Sequence, residues 1–88
     1  MPGFVLLVRD RADDSADIRV GFTVTKKIGN AVVRNRMKRR LRALAREILP
    51  EAGISGADHV LIGRMGGNDR IFADLRADLV KALGRVAR

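Results

Sequence analysis

The most basic part of the chain carries a regular apolar stripe. Apolar residues recur there at steps of four, four, three and four positions, at Val33, Met37, Leu41, Leu44 and Ile48. This spacing is typical of one face of an amphipathic helix. Asn30 is a suitable N-cap residue, and Pro50 and Gly53 indicate the end of the helix. The pattern predicts a helix over about Ala31–Leu49 that packs its stripe against the rest of the protein.

Positive charge is concentrated in the same stretch. Residues 26–46 contain nine of the 18 Lys and Arg residues and none of the 10 Asp and Glu residues, so the rest of the chain is nearly neutral. The main polar face of the predicted helix presents Arg34, Asn35, Lys38, Arg39, Arg42 and Arg46. A block of like charge is often a solvated or disordered segment, but the apolar stripe argues against disorder here. Because like charges repel along an isolated helix, we interpret this face as one that binds phosphates.

Length and composition exclude several classes of protein. A chain of 88 residues forms one ordinary domain, and 47% apolar residues are too many for a disordered basic tail. The absence of Cys excludes disulfide frameworks and zinc–thiolate sites and agrees with a reducing cytoplasm. The apolar run Phe4–Val8 is too short for a membrane span or a signal sequence. The net charge of +8 indicates a polyanionic partner, nucleic acid first and an anionic membrane second.

The other segments predict strands and a second helix. Strand patterns cover Phe4–Arg9, Arg19–Thr25 and Asp58–Gly63, and a second apolar stripe predicts a helix over Ile71–Val86. In the second strand, Val20, Phe22 and Val24 are predicted to share one half-buried face. The acidic segment Asp10–Ile18 is interpreted as a solvated hairpin connection. The order predicts a single α+β (α/β two-layer) domain over residues 1–88, with a small sheet and helices packed on one side.

No group of residues indicates a protein active site. His59 is the single His, and its neighbour Asp58 points to the opposite face of a strand, so that we interpret His59 as structural or surface. Ser15 and Ser55 have no His and Asp partners at a suggestive spacing. The segment RMGGND at residues 64–69 lacks the rest of either nucleotide-binding fingerprint and is interpreted as a turn. We expect a binding protein.

Residues 19–42, RVGFTVTKKIGNAVVRNRMKRRLR, carry a more specific pattern. They closely resemble the signature of the bacterial ribonuclease P protein subunit, in which a strand with Gly and Ser/Thr leads into Lys-Lys-x-Gly-x-Ala-Val and an Arg-Asn-Arg helix. The matching positions are Gly21, Thr23, Lys26, Lys27, Gly29, Ala31, Val32, Arg34, Asn35, Arg36, Lys38, Arg39 and Arg42. The other strands and the C-terminal helix also lie where the family has theirs.

The resemblance implies a fold and a function. The family's domain is an α/β sandwich, similar to a domain of a small-subunit ribosomal protein and one of elongation factor G, with a left-handed strand–helix–strand crossover. Parallel crossovers are otherwise right-handed in nearly all cases. The family binds the catalytic RNA of ribonuclease P and the 5′ leader of precursor tRNA. The RNA subunit, with bound magnesium, hydrolyses the phosphodiester bond, so we expect no catalytic residue, no metal and no cofactor on the protein. We also expect no membrane or protein partner, and a cytoplasmic location.

The resemblance also implies which residues contact RNA. It assigns RNA binding to Arg34, Asn35, Arg36, Lys38, Arg39 and Arg42 and places Lys26, Lys27 and Arg64 near the leader-binding cleft. Asn30 at the N-terminus of the helix and Arg46 on its polar face complete the predicted set. Arg offers a bidentate fork to phosphate, Lys supplies a point charge, and a helix N-terminus adds free N–H groups.

The chain departs from the family pattern at its start. The family begins with an additional helix whose aromatic residues line the leader cleft, whereas this chain begins almost at its first strand. Leu7 stands where the family commonly has an aromatic residue. A shortened chain or a start codon assigned too far downstream would account for both features. We expect leader discrimination to be affected more than binding of the catalytic RNA, because bases stack on aromatic rings.

Two other functions remain open at this point. One is a ribosome-associated or other basic RNA- or DNA-binding domain without a role in cleavage. The other is a protein-only nuclease, which requires acidic residues or His converging on a metal. Binding of different nucleic acids at matched salt separates the first from a ribonuclease P subunit, and a cleavage assay without the RNA subunit tests the second.

Overall fold

The computed structural model describes residues 3–11 and 15–86. Its strands are β1 (Phe4–Asp10), β2 (Arg19–Thr23) and β3 (Ala57–Gly63), and its helices are α1 (Ala31–Ala52) and α2 (Phe72–Val86). Short 3-10 turns cover Lys26–Ile28 before α1 and Met65–Asn68 before α2. The α+β architecture predicted from the sequence is confirmed.

The last strand of the chain lies in the middle of the sheet. The strand order is β1-β3-β2. β3 pairs antiparallel with β1, where Phe4 is opposite Gly63, and parallel with β2, where Arg19 is opposite Asp58. A parallel pair needs a long crossover, which α1 supplies between β2 and β3. The left-handed form of this crossover stays a prediction from the family resemblance.

The predicted hairpin between the first two strands is wrong. β1 and β2 do not pair, because β3 lies between them. β3 is the strand best suited to the centre: every second side chain from Ala57 to Gly63 is buried and the others are half-buried. A short acidic connection is compatible with a hairpin, but it does not decide which strand has the most apolar surface to cover. Asp13 and Asp14 of this connection lie outside the described residues.

Both helices cover the same face of the sheet. Four of the five stripe residues of α1 are buried and Val33 is half-buried, while α2 buries Leu75, Leu79 and Leu83. These stripes enclose Phe4 and Leu61, which are fully buried. α1 contacts β2 and β3, and α2 contacts β1. On the opposite sheet face, Leu7 of β1 is 53% exposed.

α1 begins after Asn30 and ends before Gly53, and each of these residues makes a hydrogen bond that closes its end of the helix. Asn30 caps the helix, since its Oδ1 accepts a hydrogen bond from the Val33 N–H at 3.0 Å, as predicted. The helix continues to Ala52 and contains Pro50, so the predicted end at Leu49 was too early. Pro50 lies in the last turn and removes a single helical donor. The Gly53 N–H then closes the helix by donating to the Leu49 carbonyl at 2.8 Å.

The predicted burial of the second strand is only partly correct. β2 ends at Thr23, two residues earlier than predicted. Phe22 is half-buried and Val24 is buried, but Val20 is 41% exposed. Val20 is exposed because β2 is an edge strand and α1 leaves part of that edge uncovered. Among the described residues, no helix is long and apolar enough to cross a membrane.

Candidate nucleic-acid interface

The outward face of α1 brings together the predicted polar residues. Arg34, Lys38, Arg42 and Arg46 follow one another at intervals of four residues, which places them in one row on a helix. Asn35 and Arg39 form a second row beside it. Val32, Asn35, Lys38, Arg39 and Arg42 line a shallow depression of about 460 Å³, here called the polar groove. Side chains from about three turns of one helix therefore converge on one concave surface.

The charge on this face is not neutralised by the protein. The ion pairs join Arg11 to Asp58, Arg70 to Asp78 and Arg76 to Glu47. Within residues 3–11 and 15–86, none of the cations of the predicted site has a carboxylate at ion-pair distance. Uncompensated like charges are unfavourable in the free protein, and a polyanion that binds there relieves the repulsion. The electrostatics therefore favour a partner rich in phosphate.

Arg40 is a cation of the basic stretch that does not join this face. Its Nε donates to the Gly67 carbonyl at 3.2 Å, and its Nη2 donates to the Arg70 carbonyl. Its guanidinium carbon lies 6.0 Å from the centroid of the Phe72 ring. Arg70 is itself held by Asp78, whose hydrogen bond raises the pKa of Arg70. Arg40 thus joins α1 to the start of α2, and it is not among the residues of the predicted RNA-binding set.

The turn before α1 carries the two predicted lysines. Lys26 and Lys27 are exposed in the 3-10 turn over Lys26–Ile28. Gly29 joins this turn to the cap residue Asn30 with a φ of +154°. The Asn30 carboxamide oxygen is used by the cap, and its exposed amide group is available to donate to a partner. None of these residues lines the polar groove.

Two more predicted residues lie away from the polar groove. Arg36 lines a separate cavity of about 390 Å³ beside Asn68 and Asp69. Arg64 is exposed directly after β3, where its backbone N–H donates to the Gly3 carbonyl at 3.0 Å. The structure therefore divides the predicted set. Asn35, Lys38, Arg39 and Arg42 form one concave site, and the others surround it or lie apart.

The sequence did not reveal two apolar contributors to this surface. Val32 is 75% exposed at the edge of the polar groove, although its apolar character suggested no such position. Phe22 lies on the half-buried face predicted for the second strand, and the guanidinium carbon of Arg42 lies 5.9 Å from the centroid of its ring, a contact that the sequence did not indicate. The periodicity indicates which face of its helix or strand each residue occupies, but it does not indicate whether that face is exposed to solvent. Exposure depends on which neighbouring element covers that position.

His59 has a structural role. It is fully buried, its Nε2 accepts a hydrogen bond from the Ile54 N–H at 3.0 Å, and its Nδ1 lies 3.1 Å from the Arg19 carbonyl. These partners require the neutral tautomer with the proton on Nδ1. Asp58 points the other way and accepts from Arg11 at 3.2 Å, so the two residues form no acid–base pair. Among the described residues, no group of three His, Cys, Asp or Glu side chains is arranged to hold a metal ion.

Comparison with known proteins identifies the family of the chain. The family model described as Ribonuclease P matches residues 1–87. The chain belongs to the ribonuclease P protein family. A ribonuclease P protein component from Erythrobacter litoralis is 57% identical over 84 residues, covering 96% of this chain and 68% of that protein. One from Gluconacetobacter diazotrophicus is 55% identical over 82 residues, covering 93% and 70%. The resemblance stated from residues 19–42 is confirmed.

Solved structures of ribonuclease P proteins share the fold. The protein from Thermotoga maritima superposes with a TM-score of 0.77 at 31% identity, covering 94% of this chain and 76% of that one. The Staphylococcus aureus protein superposes with a TM-score of 0.72 at 26% identity, covering 100% and 77%. The three-stranded sheet with two helices is thus the arrangement of a ribonuclease P protein.

Proposed function

We propose that this ribonuclease P protein binds the catalytic RNA of ribonuclease P and the 5′ leader of precursor tRNA, and so promotes 5′ maturation of tRNA. The observation that carries the proposal is the outward face of α1, where Asn35, Lys38, Arg39 and Arg42 converge without a neutralising carboxylate. Family membership supplies the identity of the RNA. The proposal places the protein in the cytoplasm.

The residues of the polar groove suit an RNA backbone. Arg39 and Arg42 can each donate two parallel hydrogen bonds to one phosphate, and Lys38 supplies a compact charge. Asn35 is exposed and can donate to and accept from a sugar or a base edge. Exposed Val32 gives the groove an apolar edge against which a ribose can pack. Together these groups offer both charge and directional contacts to one strand segment.

The hydrolysis itself is assigned to the RNA subunit with its magnesium ions. In this chain the most suggestive acid–base groups already have structural partners: His59 bonds two backbone groups, and Asp58 accepts from Arg11. The protein's contribution is then to position the substrate and to screen phosphate repulsion between two RNA molecules. Lys26, Lys27 and Arg64, which lie outside the polar groove, are proposed to contact the leader.

Reconstitution tests this function. The chain is added to a bacterial ribonuclease P RNA at low magnesium, and release of the precursor tRNA leader is measured. We expect the wild-type protein to stimulate release and Arg39→Gln to stimulate it less. Arg85→Gln is the matched control, because Arg85 is exposed on α2 and the substitution removes the same charge. Absence of stimulation by the wild-type protein contradicts the proposal.

The competing function is a basic RNA- or DNA-binding domain without a role in cleavage. Binding to the ribonuclease P RNA, to ribosomal RNA and to duplex DNA is compared at one salt concentration, because electrostatic affinity depends steeply on salt. Tighter binding to the ribonuclease P RNA supports the proposed function. Equal binding to all three favours the competing one.

A further inference from the structure

A second, apolar groove lies beside the polar groove. It runs between the exposed edge of β2 and the C-terminal half of α1, and it has a volume of about 390 Å³. Val20, Phe22, Leu49 and Pro50 are among the residues of its floor and walls, and Arg42 and Arg46 lie on its rim. This apolar groove is within the size range of about 300–1,000 Å³ that is usual for small-molecule sites. It is large enough for one planar ring system.

Arg42 joins the two grooves. Its side chain lines both the polar groove and the apolar groove. Its guanidinium carbon lies 5.9 Å from the centroid of the Phe22 ring, so a planar cation and an aromatic ring stand together at the entrance. A strand that follows the cations of α1 therefore passes directly from a phosphate-binding surface to an apolar recess.

We propose that the apolar groove binds one unpaired nucleobase of the RNA that lies on α1. The inference rests on the proposed function and adds a site to it. The base packs against Phe22 and Val20 and on the guanidinium plane of Arg42. The adjoining phosphates are held by Arg42 and Arg46, which have no carboxylate at ion-pair distance among the described residues.

The chemistry of the groove favours a nucleobase as its occupant. Unpaired bases of RNA are recognised by stacking on aromatic side chains and on arginine planes. An apolar floor with two cations on its rim is complementary to a flat apolar ring attached to a phosphate. A second copy of this chain is a poorer match, because its exposed basic face would bring like charges together at the same rim.

Paired substitutions test the site. Phe22→Leu removes the ring and keeps an apolar side chain. Phe72→Leu is the matched control, because Phe72 is also half-buried and also lies under arginine guanidinium groups, but on α2. Affinity for a bacterial ribonuclease P RNA is measured as a function of salt. The bound RNA is probed with dimethyl sulfate, kethoxal and a carbodiimide, which together modify unprotected A, C, G and U bases. Thermal unfolding and sedimentation of each free protein are recorded in parallel.

The expected results are specific to the groove. Phe22→Leu raises the Kd by about fivefold to a hundredfold, the range for one stacked base, and Phe72→Leu leaves it unchanged. The slope of log Kd against log salt is the same in both, because the phosphate contacts remain. One unpaired base protected by the wild-type protein becomes reactive with Phe22→Leu.

Other outcomes overturn the proposal in distinguishable ways. If Phe22→Leu binds the RNA with the wild-type Kd and protects the same bases, the apolar groove is not a base site. The proposed function is then unaffected. If the free wild-type protein is a dimer and the Phe22→Leu variant is a monomer, the groove is an interface between copies of the chain. This result also overturns the proposed base site. If the wild-type protein has no affinity for the RNA, both the proposed function and the base site are contradicted. If Phe22→Leu does not fold, Val20→Gln replaces it, with the exposed Val80 of α2 substituted in the same way as control.

Discussion

The guanidinium of Arg40 stands 6.0 Å from the centroid of the Phe72 ring, while the neighbouring Arg39 is exposed to solvent. Adjacent residues of one helix point in directions about 100° apart. One arginine therefore reaches the turn before α2, and the next faces outward in the polar groove. Similar local sequence thus serves two purposes: Arg40 joins two helices of the fold, and Arg39 is available to a partner.

The contrast between these arginines predicts opposite phenotypes. Arg40→Gln is expected to lower the free energy of unfolding by about 1–3 kcal/mol, because a charged donor to two backbone carbonyls and its ring contact are lost. Arg39→Gln is expected to change it by less than about 0.5 kcal/mol and to weaken RNA binding instead. Urea denaturation measures the first effect and a binding titration the second. Equal losses of stability in the two variants contradict the division.

Binding to the catalytic RNA should be dominated by phosphate contacts. We expect log K to fall linearly with log salt, with a slope of about −0.7 to −0.9 for each phosphate that is neutralised. Removal of one contacting cation, as in Arg39→Gln, should make the slope shallower by about one contact. Titrations over a range of salt concentrations provide the measurement. A binding curve that does not depend on salt is incompatible with the proposed interface.

His59→Leu tests the structural role of the buried histidine. The substitution leaves the Ile54 N–H and the Arg19 carbonyl without their partner, which is expected to cost about 1–3 kcal/mol of stability. Asp58→Asn, on the opposite face, is the control, because a partly exposed ion pair contributes at most about 1 kcal/mol. Cleavage in the reconstituted enzyme should persist with His59→Leu at temperatures where that variant is folded. Complete loss of cleavage in a folded His59→Leu protein would show a role beyond packing.

The glycine before the helix cap predicts a further pair of effects. Gly29 has a φ of +154°, and a Cβ atom built there lies 3.0 Å from the Cβ of Val33. Gly29→Ala is therefore expected to cost about 1–3 kcal/mol. Gly84 lies in α2, where a Cβ atom would meet nothing within 4 Å beyond its chain neighbours and the backbone of its own helix, so Gly84→Ala should add about 0.5–1 kcal/mol. Thermal melting of both variants distinguishes them, and a stabilised Gly29→Ala would contradict the argument from backbone conformation.

Local patterns were sufficient for the elements that carry the candidate interface. The stripe from Val33 to Ile48 predicted α1, and the phase of the cations relative to the stripe predicted its outward face. Asn30 was correctly identified as the cap because capping depends on a contact three residues away. Charge, helical phase and capping are all short-range properties, so residue spacing determines them before any tertiary contact forms.

Most of the features that local patterns missed depend on contacts between distant elements. The predicted hairpin was wrong because β3, which follows β1 and β2 in the chain, lies between them in the sheet. Strand order depends on which strand has partners to cover both of its edges. Pro50 was treated as a stop, although the last turn of a helix tolerates the loss of one donor. The exposure of Val20 and the position of Arg42 over Phe22 follow from β2 lying at the edge beside α1.

Residue spacing and charge were enough to predict the basic amphipathic helix, its cap, its outward cations and the family to which the chain belongs. Tertiary structure alone decided that Arg40 supports the fold and that an apolar recess adjoins the outward cations. The reason is the range of the interactions. Periodicity and charge act between neighbours along the chain, whereas the apolar groove exists only where α1 meets the edge strand β2.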